Sequence, residues 1–290
     1  MAKIKRMFLD FTTWSTYKLC PTKMKYGLMD GYQNPKGSPA LDFGAAIHKG
    51  LEVYQTAGDR DAGLAAALDY AKSSSLITIE SNDKRSIEHL TNTMQGYFAH
   101  YPYPDPLYDV IQLEKKIAAP INDWLTYWGT VDGIVEHRQG GYQSILERKT
   151  TTSFNDVFMN RMLLSSQVTG YFYLAKANGF FPRTAIVDAI QTSAVFKIRN
   201  EPGLYFKRFE ERRSEDQLVI WKDNLIKDCL RIKEDIEQNS FSFNSPDGCT
   251  SFNSVCPFAS VCGSIGGKGP STNSQQFTIN KWPGIKVDYV

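Results

Sequence analysis

The sequence predicts an α/β fold: one core of strands covered by helices, with a mainly helical segment inserted ahead of it. Three observations carry this. Hydrophobic patterns follow one another as helices, strand, hairpin, helix, strand, helix, an order that a sheet with helices packed on it accommodates. The 290 residues are 42% hydrophobic, enough for a globular core. No internal repeat divides the chain.

Each element has its own signal. Phe11 to Leu28 reads as a helix with Thr12 or Thr13 as N-cap and Trp14, Tyr17 and Tyr26 as apolar anchors, interrupted at Cys20-Pro21. A Gly/Pro/Asn-rich loop spans Gly31 to Pro39, and helices follow over Ala40–Gln55, Asp61–Ser73 and Asp83–Tyr101. The run Tyr101-Pro-Tyr-Pro-Asp-Pro106 cannot continue a helix, because proline lacks an amide donor and restrains its predecessor. Val110–Ile117 alternates as a strand; Thr126–Glu136 and Tyr142–Lys149 are two more, joined by a Gly-Gly hairpin signal at Gly140-Gly141. Asn155–Asn178 reads as one long helix closed by Gly179, Arg183–Ile198 as a strand, and Glu215–Gln238 as a helix. In that last helix Leu218, Trp221, Leu225, Cys229, Ile232 and Ile236 form a stripe at steps of three and four. Ser245–Cys262 is irregular and cysteine-bearing.

Composition excludes several classes. Thirty-three Lys+Arg against 31 Asp+Glu leave a net charge of +2 and no strong global field. Five cysteines are too few for a disulfide scaffold. No apolar run approaches the ~18 residues that cross a bilayer. Lys3, Lys5, Arg6, Asp10 and Lys18 break any signal-peptide core. The expectation is a soluble cytoplasmic protein with reduced thiols and no membrane partner.

The chemistry concentrates in Trp128-Gly-Thr-Val-Asp132-Gly and Ile145-Leu-Glu147-Arg-Lys149. Alternation on a strand points Glu147 and Lys149 the same way, and hairpin pairing lets Asp132 reach that face. Two carboxylates and an ammonium suit a hydrolase using Mg²⁺ or Mn²⁺, in which hard oxygens hold the ion and the lysine orients water and offsets negative charge. Asp105 with Glu114-Lys115-Lys116 fits the same acid-then-Glu-x-Lys pattern. Asp105, however, lies between two prolines, where a ladder strand is implausible. Asp132 is flanked by Gly129 and Gly133, which leave room for a phosphate backbone to approach. Gln167 and Tyr171 share one helical face, as do Gly44 and His48.

Taken in order, Gly44/His48, Gly129/Asp132, Glu147/Lys149 and Gln167/Tyr171 resemble the motifs of the RecB-type PD-(D/E)XK nucleases, which include the AddB nuclease domain, the CRISPR-associated adaptation nuclease and phage exonucleases. The resemblance runs from about Phe11 to Cys262. It implies a restriction-endonuclease-like core, a central mixed sheet flanked by helices. It also implies His48, Asp132 and Glu147 as ligands of Mg²⁺ or Mn²⁺; Asp132, Glu147 and Lys149 as catalytic residues; and Gln167 and Tyr171 as substrate-side or supporting residues. Glu114 resembles the extra acidic residue that some members carry before the aspartate.

Cys20, Cys249, Cys256 and Cys262 are the right number for a closed soft-metal site, while Cys229 belongs to the apolar stripe. Thr16-Tyr-Lys-Leu-Cys20-Pro21 and Cys256-Pro-Phe-Ala-Ser-Val-Cys262 resemble the iron–sulfur branch of the same family, which implies a structural [4Fe–4S] cluster; structural Zn²⁺ is the alternative. The gap of six residues between Cys249 and Cys256 departs from the two usual in that branch.

The expected organisation is one nuclease domain over 1–262. Within it, 40–101 is the helical insertion, 107–238 the catalytic α/β core, and Cys20 plus 249–262 a cysteine cluster joining the N- and C-terminal segments; 263–290 is a loosely structured tail. The expected activity is metal-dependent hydrolysis of DNA, by an exonuclease acting on single strands or frayed duplex ends in recombination, repair or phage or CRISPR DNA processing. A helicase or recombination protein is the expected partner, in a bacterial or phage-infected cell. Arg148, Lys149, Arg161, Lys197, Arg199, Lys207, Arg208, Arg212 and Arg213, interleaved with Tyr171, Tyr173, Tyr205 and Phe206, are the candidate DNA-binding patch. The competing readings are a noncatalytic DNA-binding or assembly subunit that retains the fold, and a structural metal-binding protein.

Overall fold

The computed structural model describes residues 3–34, 37–74, 77, 85–192, 201–243, 248–250, 255–263 and 277–290. The chain forms two compact units, one of Met1–Gly37, Ala118–Gly129 and Glu215–Val290, the other of Ser38–Ile117 and Thr130–Ser214.

The first unit begins with a strand that the sequence patterns do not announce, β1 (Ile4–Asp10). It is followed by α1 (Phe11–Leu19), the short α2 (Pro21–Met24), a π-turn over Lys25–Met29 and the two-residue strand β2 (Tyr32–Gln33). The cap of α1 is Asp10, whose carboxylate accepts the Thr13 amide at 2.8 Å, and not Thr12 or Thr13. Thr13 is itself inside the helix and fully buried. The break at Cys20-Pro21 falls where expected, with Pro21 opening α2.

In the second unit, α3 (Pro39–Ala57) starts on a proline and ends at Gly58, which takes φ +71° as a left-handed cap. Then come α4 (Arg60–Ser73), capped by Asp59, and α5 (Ile87–His100), capped by Ser86. The strands are β3 (Tyr108–Pro120) and β4 (Leu125–His137), whose residues Ala118–Gly129 belong to the first unit, and β5 (Gln143–Thr151). The single helix expected over 155–178 is two: α6 (Asp156–Leu163), capped by Asn155, and α7 (Ser166–Ala177). Ser165 causes the break, because its hydroxyl accepts the Val168 amide at 3.2 Å and starts a new helix. β6 (Thr184–Gln191) and β7 (Phe206–Glu211) complete the unit.

In this unit β5 pairs antiparallel with β4 and parallel with β6, β7 pairs antiparallel with β6, and β3 lies on β4. This is a mixed sheet. It packs with the helices through Phe43, Ile47, Leu51, Leu90, Met94 and Tyr97, which share a core with Ile190 and Phe206.

The first unit is completed by α8 (Glu215–Gln238), α9 (Ala259–Cys262), β8 (Thr278–Ile279) and β9 (Ile285–Tyr289). Leu218, Trp221, Leu225, Cys229 and Ile232 of α8 are buried as the stripe required, with Trp221 edge-on to Trp14 and Tyr127. β1 runs parallel to residues Leu125–Trp128 of β4 and antiparallel to β9. The loosely structured tail is therefore corrected for its last residues: Val287 lies opposite Met7 and Ile285 opposite Leu9, and the backbone of β1 supplies their hydrogen bonds. Among the described residues no helix is long and apolar enough to cross a membrane.

α3 and α4 touch at two glycines. A Cβ on Gly50 would stand 2.8 Å from both Ala67 Cβ and the Gly63 carbonyl oxygen, so these backbones meet with no room for a methyl group. On an isolated helix Gly→Ala stabilises by about 0.5–1 kcal/mol. Here the sign reverses. Gly50→Ala is expected to lower the thermal midpoint, an overpacking effect of about 1–3 kcal/mol; a raised midpoint in calorimetry would refute this account of the contact.

Candidate active site

The hairpin ladder of β4 and β5 places Gly133 opposite Leu146, so Asp132 and Glu147 are the next residues along their strands. Asp132 Oδ2 accepts the Arg148 backbone amide at 2.7 Å, which locks the carboxylate to the neighbouring strand. Its Oδ1 faces His48 Nδ1 at 3.6 Å. β3 contributes Glu114, whose φ of +46° is unusual for a residue other than glycine. Donor atoms of His48, Glu114 and Asp132 all lie within 4.8 Å of one another, the one group of three or more potential metal ligands so spaced among the described residues.

Glu147 stands beside this trio, 1% exposed, and ion-paired with Lys149 from the same strand face. Lys149 Nζ also donates to Gln167 Oε1 at 3.0 Å, and Gln167 Nε2 to the Tyr171 hydroxyl at 2.8 Å. The four residues singled out from the sequence are thus one connected chain. Glu147 Oε2 has no hydrogen-bond partner, an orphaned buried acceptor of the kind a cation would satisfy.

The carboxylates are electrostatically differentiated. Burial pushes Asp132 upward, but His48, Arg148 and Lys149 outweigh it and hold the carboxyl down at about 2. Burial and the neighbouring Asp132 charge push Glu114 up to about 7. Glu147 is also raised, by burial first, against the pull of Lys149. For Lys149, burial works against the charge, but Glu147 and Asp132 prevail and its pKa rises, so the amine remains an ammonium at neutral pH. The donor set of hard oxygens and one imidazole fits a divalent cation.

Local packing explains how α3 delivers His48. A Cβ on Gly44 would stand 3.1 Å from Thr150 Oγ1, so the glycine admits β5 one helical turn before the histidine. A groove of about 540 Å³ opens over the site, lined by Gly44, His48, Lys49, Tyr70, Glu114 and Lys149 among others.

Several expectations are corrected. Gly133 does not leave room for a phosphate backbone; Leu146 and Leu113 occupy the space where its side chain would be. Asp105, passed over in favour of Asp132, lies outside the trio and pairs with Arg208 at 2.6 Å, and Glu114 joins the site from β3 without it. The basic, aromatic DNA-binding patch largely dissolves. Arg148 is fully buried, Tyr205 and Phe206 are core residues on or beside β7, and Tyr171 is 6% exposed. Arg208 binds Asp188 and Asp105, and Arg213 binds Thr169 and the Met162 carbonyl. Lys197 and Arg199 lie outside the described residues. Two residues near the site escaped sequence reasoning: Gln55, and Arg148 as a buried group. No short-range pattern marks either.

In the first unit, the Cys256 amide donates to the Cys249 carbonyl at 2.7 Å, and Cys262 ends α9. Burial first, and then the neighbouring Cys20, Cys256 and Cys249, raise the Cys262 thiol pKa. No three of their sulfurs reach the mutual spacing of the His48 trio. Cys229 is fully buried in α8 and its thiol is pushed up by burial, as a core residue should be.

Comparison with known proteins bears on the fold and the family. A crystal structure of a candidate exonuclease from Eubacterium rectale superposes with a TM-score of 0.53 at 12% identity, over 86% of this chain and 89% of that one; it shares the fold. The crystal structure of SSO0001 covers 70% of this chain and 76% of its own at 17% identity, and its TM-score of 0.29 carries no argument. No curated protein matches the sequence. The family model of the PD-(D/E)XK nuclease superfamily matches residues 11–263, and with the mixed sheet and the acidic hairpin in place the chain belongs to that superfamily.

Proposed function

We propose that this protein is a divalent-metal-dependent deoxyribonuclease, an exonuclease that takes single-stranded or frayed DNA ends into the groove over His48. The observation that carries the reading is the junction of two sets of side chains: the convergent donors His48, Glu114 and Asp132, and the chain Glu147–Lys149–Gln167–Tyr171 beside them. The likeness to a candidate exonuclease supports the exonuclease assignment over an endonuclease.

His48, Asp132, Glu147 and Glu114 are the residues to hold Mg²⁺ or Mn²⁺. When bound, such an ion supplies Lewis acidity at the phosphodiester and neutralises its charge. The chain's own residues do the rest. Asp132, ionised and tied to the Arg148 amide, gives a fixed anionic ligand. Lys149 keeps its proton and is held by Glu147 and Gln167, so it presents positive charge where charge develops on the phosphate oxygens. Tyr171 holds the Gln167 amide from behind.

The cysteines extend the proposal. Cys20, Cys249, Cys256 and Cys262 hold a structural [4Fe–4S] cluster, with Zn²⁺ as the alternative.

Two experiments test these assignments. Labelled single-stranded, blunt and circular DNA are incubated with Mn²⁺ or Mg²⁺. Wild type is expected to degrade the linear substrates and spare the circle, Glu147→Ala to be inactive, and Lys149→Ala to lose about 10²–10³-fold in turnover. Absence of metal-dependent cleavage by wild type removes the nuclease reading; cleavage of the circle removes the exonuclease one. Separately, protein purified without oxygen is expected to be brown with broad visible absorbance that Cys256→Ser abolishes. Colourless protein carrying stoichiometric zinc would overturn the iron–sulfur assignment.

A further inference from the structure

Arg148 lies between Glu147 and Lys149, and strand alternation turns its side chain to the other face of β5. It is among the largest fully buried side chains of the chain, with no exposed surface. Burying a guanidinium is unfavourable unless it is paired and hydrogen-bonded. Yet only Nη2 finds a hydrogen-bond partner, Gln55 Oε1 on α3, while Nε and Nη1 have none. Gln55 is itself oriented, because its Nε2 donates to the Tyr108 hydroxyl at 3.1 Å. That leaves the amide oxygen for Arg148.

The other arm points toward Glu114. Arg148 Nη1 stands 3.9 Å from Glu114 Oε1, a buried oxygen that also lacks a hydrogen bond. Glu114 occupies a left-handed backbone position inside a strand, a conformation that persists only where surrounding contacts over-determine it. Complete burial excludes Arg148 from touching a nucleic acid directly. Its fork geometry, fixed by Gln55, instead reaches a carboxylate oxygen that has no hydrogen-bond partner among the described residues.

We propose that Arg148 is a positioning residue whose guanidinium, anchored by Gln55, holds the Glu114 carboxylate in place, so that Glu114 converges with His48 and Asp132 on one divalent cation. This rests on reading those three residues as a cation site. The backbone amide of residue 148, which serves Asp132, is retained by any replacement except proline, so substitutions probe the guanidinium alone.

The test is calorimetric titration of Mn²⁺ into the full chain without DNA, with thermal melting as a folding control. Wild type is expected to show a site that Asp132→Asn abolishes. Arg148→Met should weaken Mn²⁺ binding by about 10–100-fold, the usual effect of removing a ligand's outer partner, and Glu114→Gln, which alters the ligand itself, should weaken it at least as much. The Arg148 charge also helps hold Asp132 ionised, so the comparison is made at pH 7, where Asp132 stays ionised in every variant, and the double variant should then bind as Glu114→Gln does. Arg148→Lys should remain weakened, since an ammonium cannot bridge Gln55 and Glu114 as the fork does. If Arg148→Met fails to fold, Gln55→Leu serves instead, and should weaken binding only while Glu114 is present. Wild-type affinity in Arg148→Met, or effects of Arg148→Met and Glu114→Gln that multiply, would overturn the proposal with the cation site intact. Wild type lacking an Asp132-dependent site would overturn both.

Discussion

Glu147 and Lys149 form an ion pair on one face of a buried strand, and the surrounding site depends on keeping that pair satisfied. Removing one partner of such a pair typically costs about 3–5 kcal/mol, because the charge left behind has no water to return to. The fold answers with neighbours: Gln167 accepts from the lysine, Tyr171 steadies the glutamine, and Asp132 faces the pair from β4. The price is a crowd of like charges. Asp132 ionises first, held by His48, Arg148 and Lys149, while Glu114 and Glu147 are pushed toward protonation. A divalent cation resolves that conflict, which is why the same carboxylates that are uncomfortable alone are well suited to holding one.

Placement of these groups relies on ordinary packing rules applied at close quarters. Gly44 admits Thr150 so that α3 can lie against β5, and His48 follows one turn later. Asp132 and Glu147 are brought level by a hairpin whose register is set at Gly133 and Leu146. The break at Ser165 starts α7 afresh, and that helix carries Gln167 and Tyr171. Each device is local, but the site exists only where all three meet.

Much of this was legible along the chain. The hairpin, the Glu147/Lys149 alternation and the four-residue spacing of Gln167 and Tyr171 follow from the periods of strand and helix, which are properties of the backbone. Helix α8 matches its hydrophobic stripe from Glu215 to Gln238. Less legible were β1 and β7. β1 mixes Lys5 and Arg6 with its apolar residues, and β7 alternates Phe206 and Phe209 among charges; each is specified by its partner strands more than by its own pattern. The supposed DNA-binding arginines misled for a related reason. Arg148, Arg208 and Arg213 carry charge in the sequence, but the fold uses that charge internally, against Gln55, Asp188 and Thr169.

The sequence by itself determined which residue types stand at which backbone periods: two carboxylates and an ammonium on hairpin strands, a histidine one turn from a glycine, a pair of polar residues on one helical face, and four cysteines apart from a fifth in an apolar stripe. Only the tertiary structure decided which charges share a buried space. Glu114 enters from β3 and Asp105 does not, and Arg148 turns inward to Gln55 instead of outward to a substrate. The reason is physical. Periodicity is dictated by neighbours along the chain, whereas the pairing of buried charge depends on groups about 30 to 100 residues away, and the low dielectric of the interior makes those distant partners decisive.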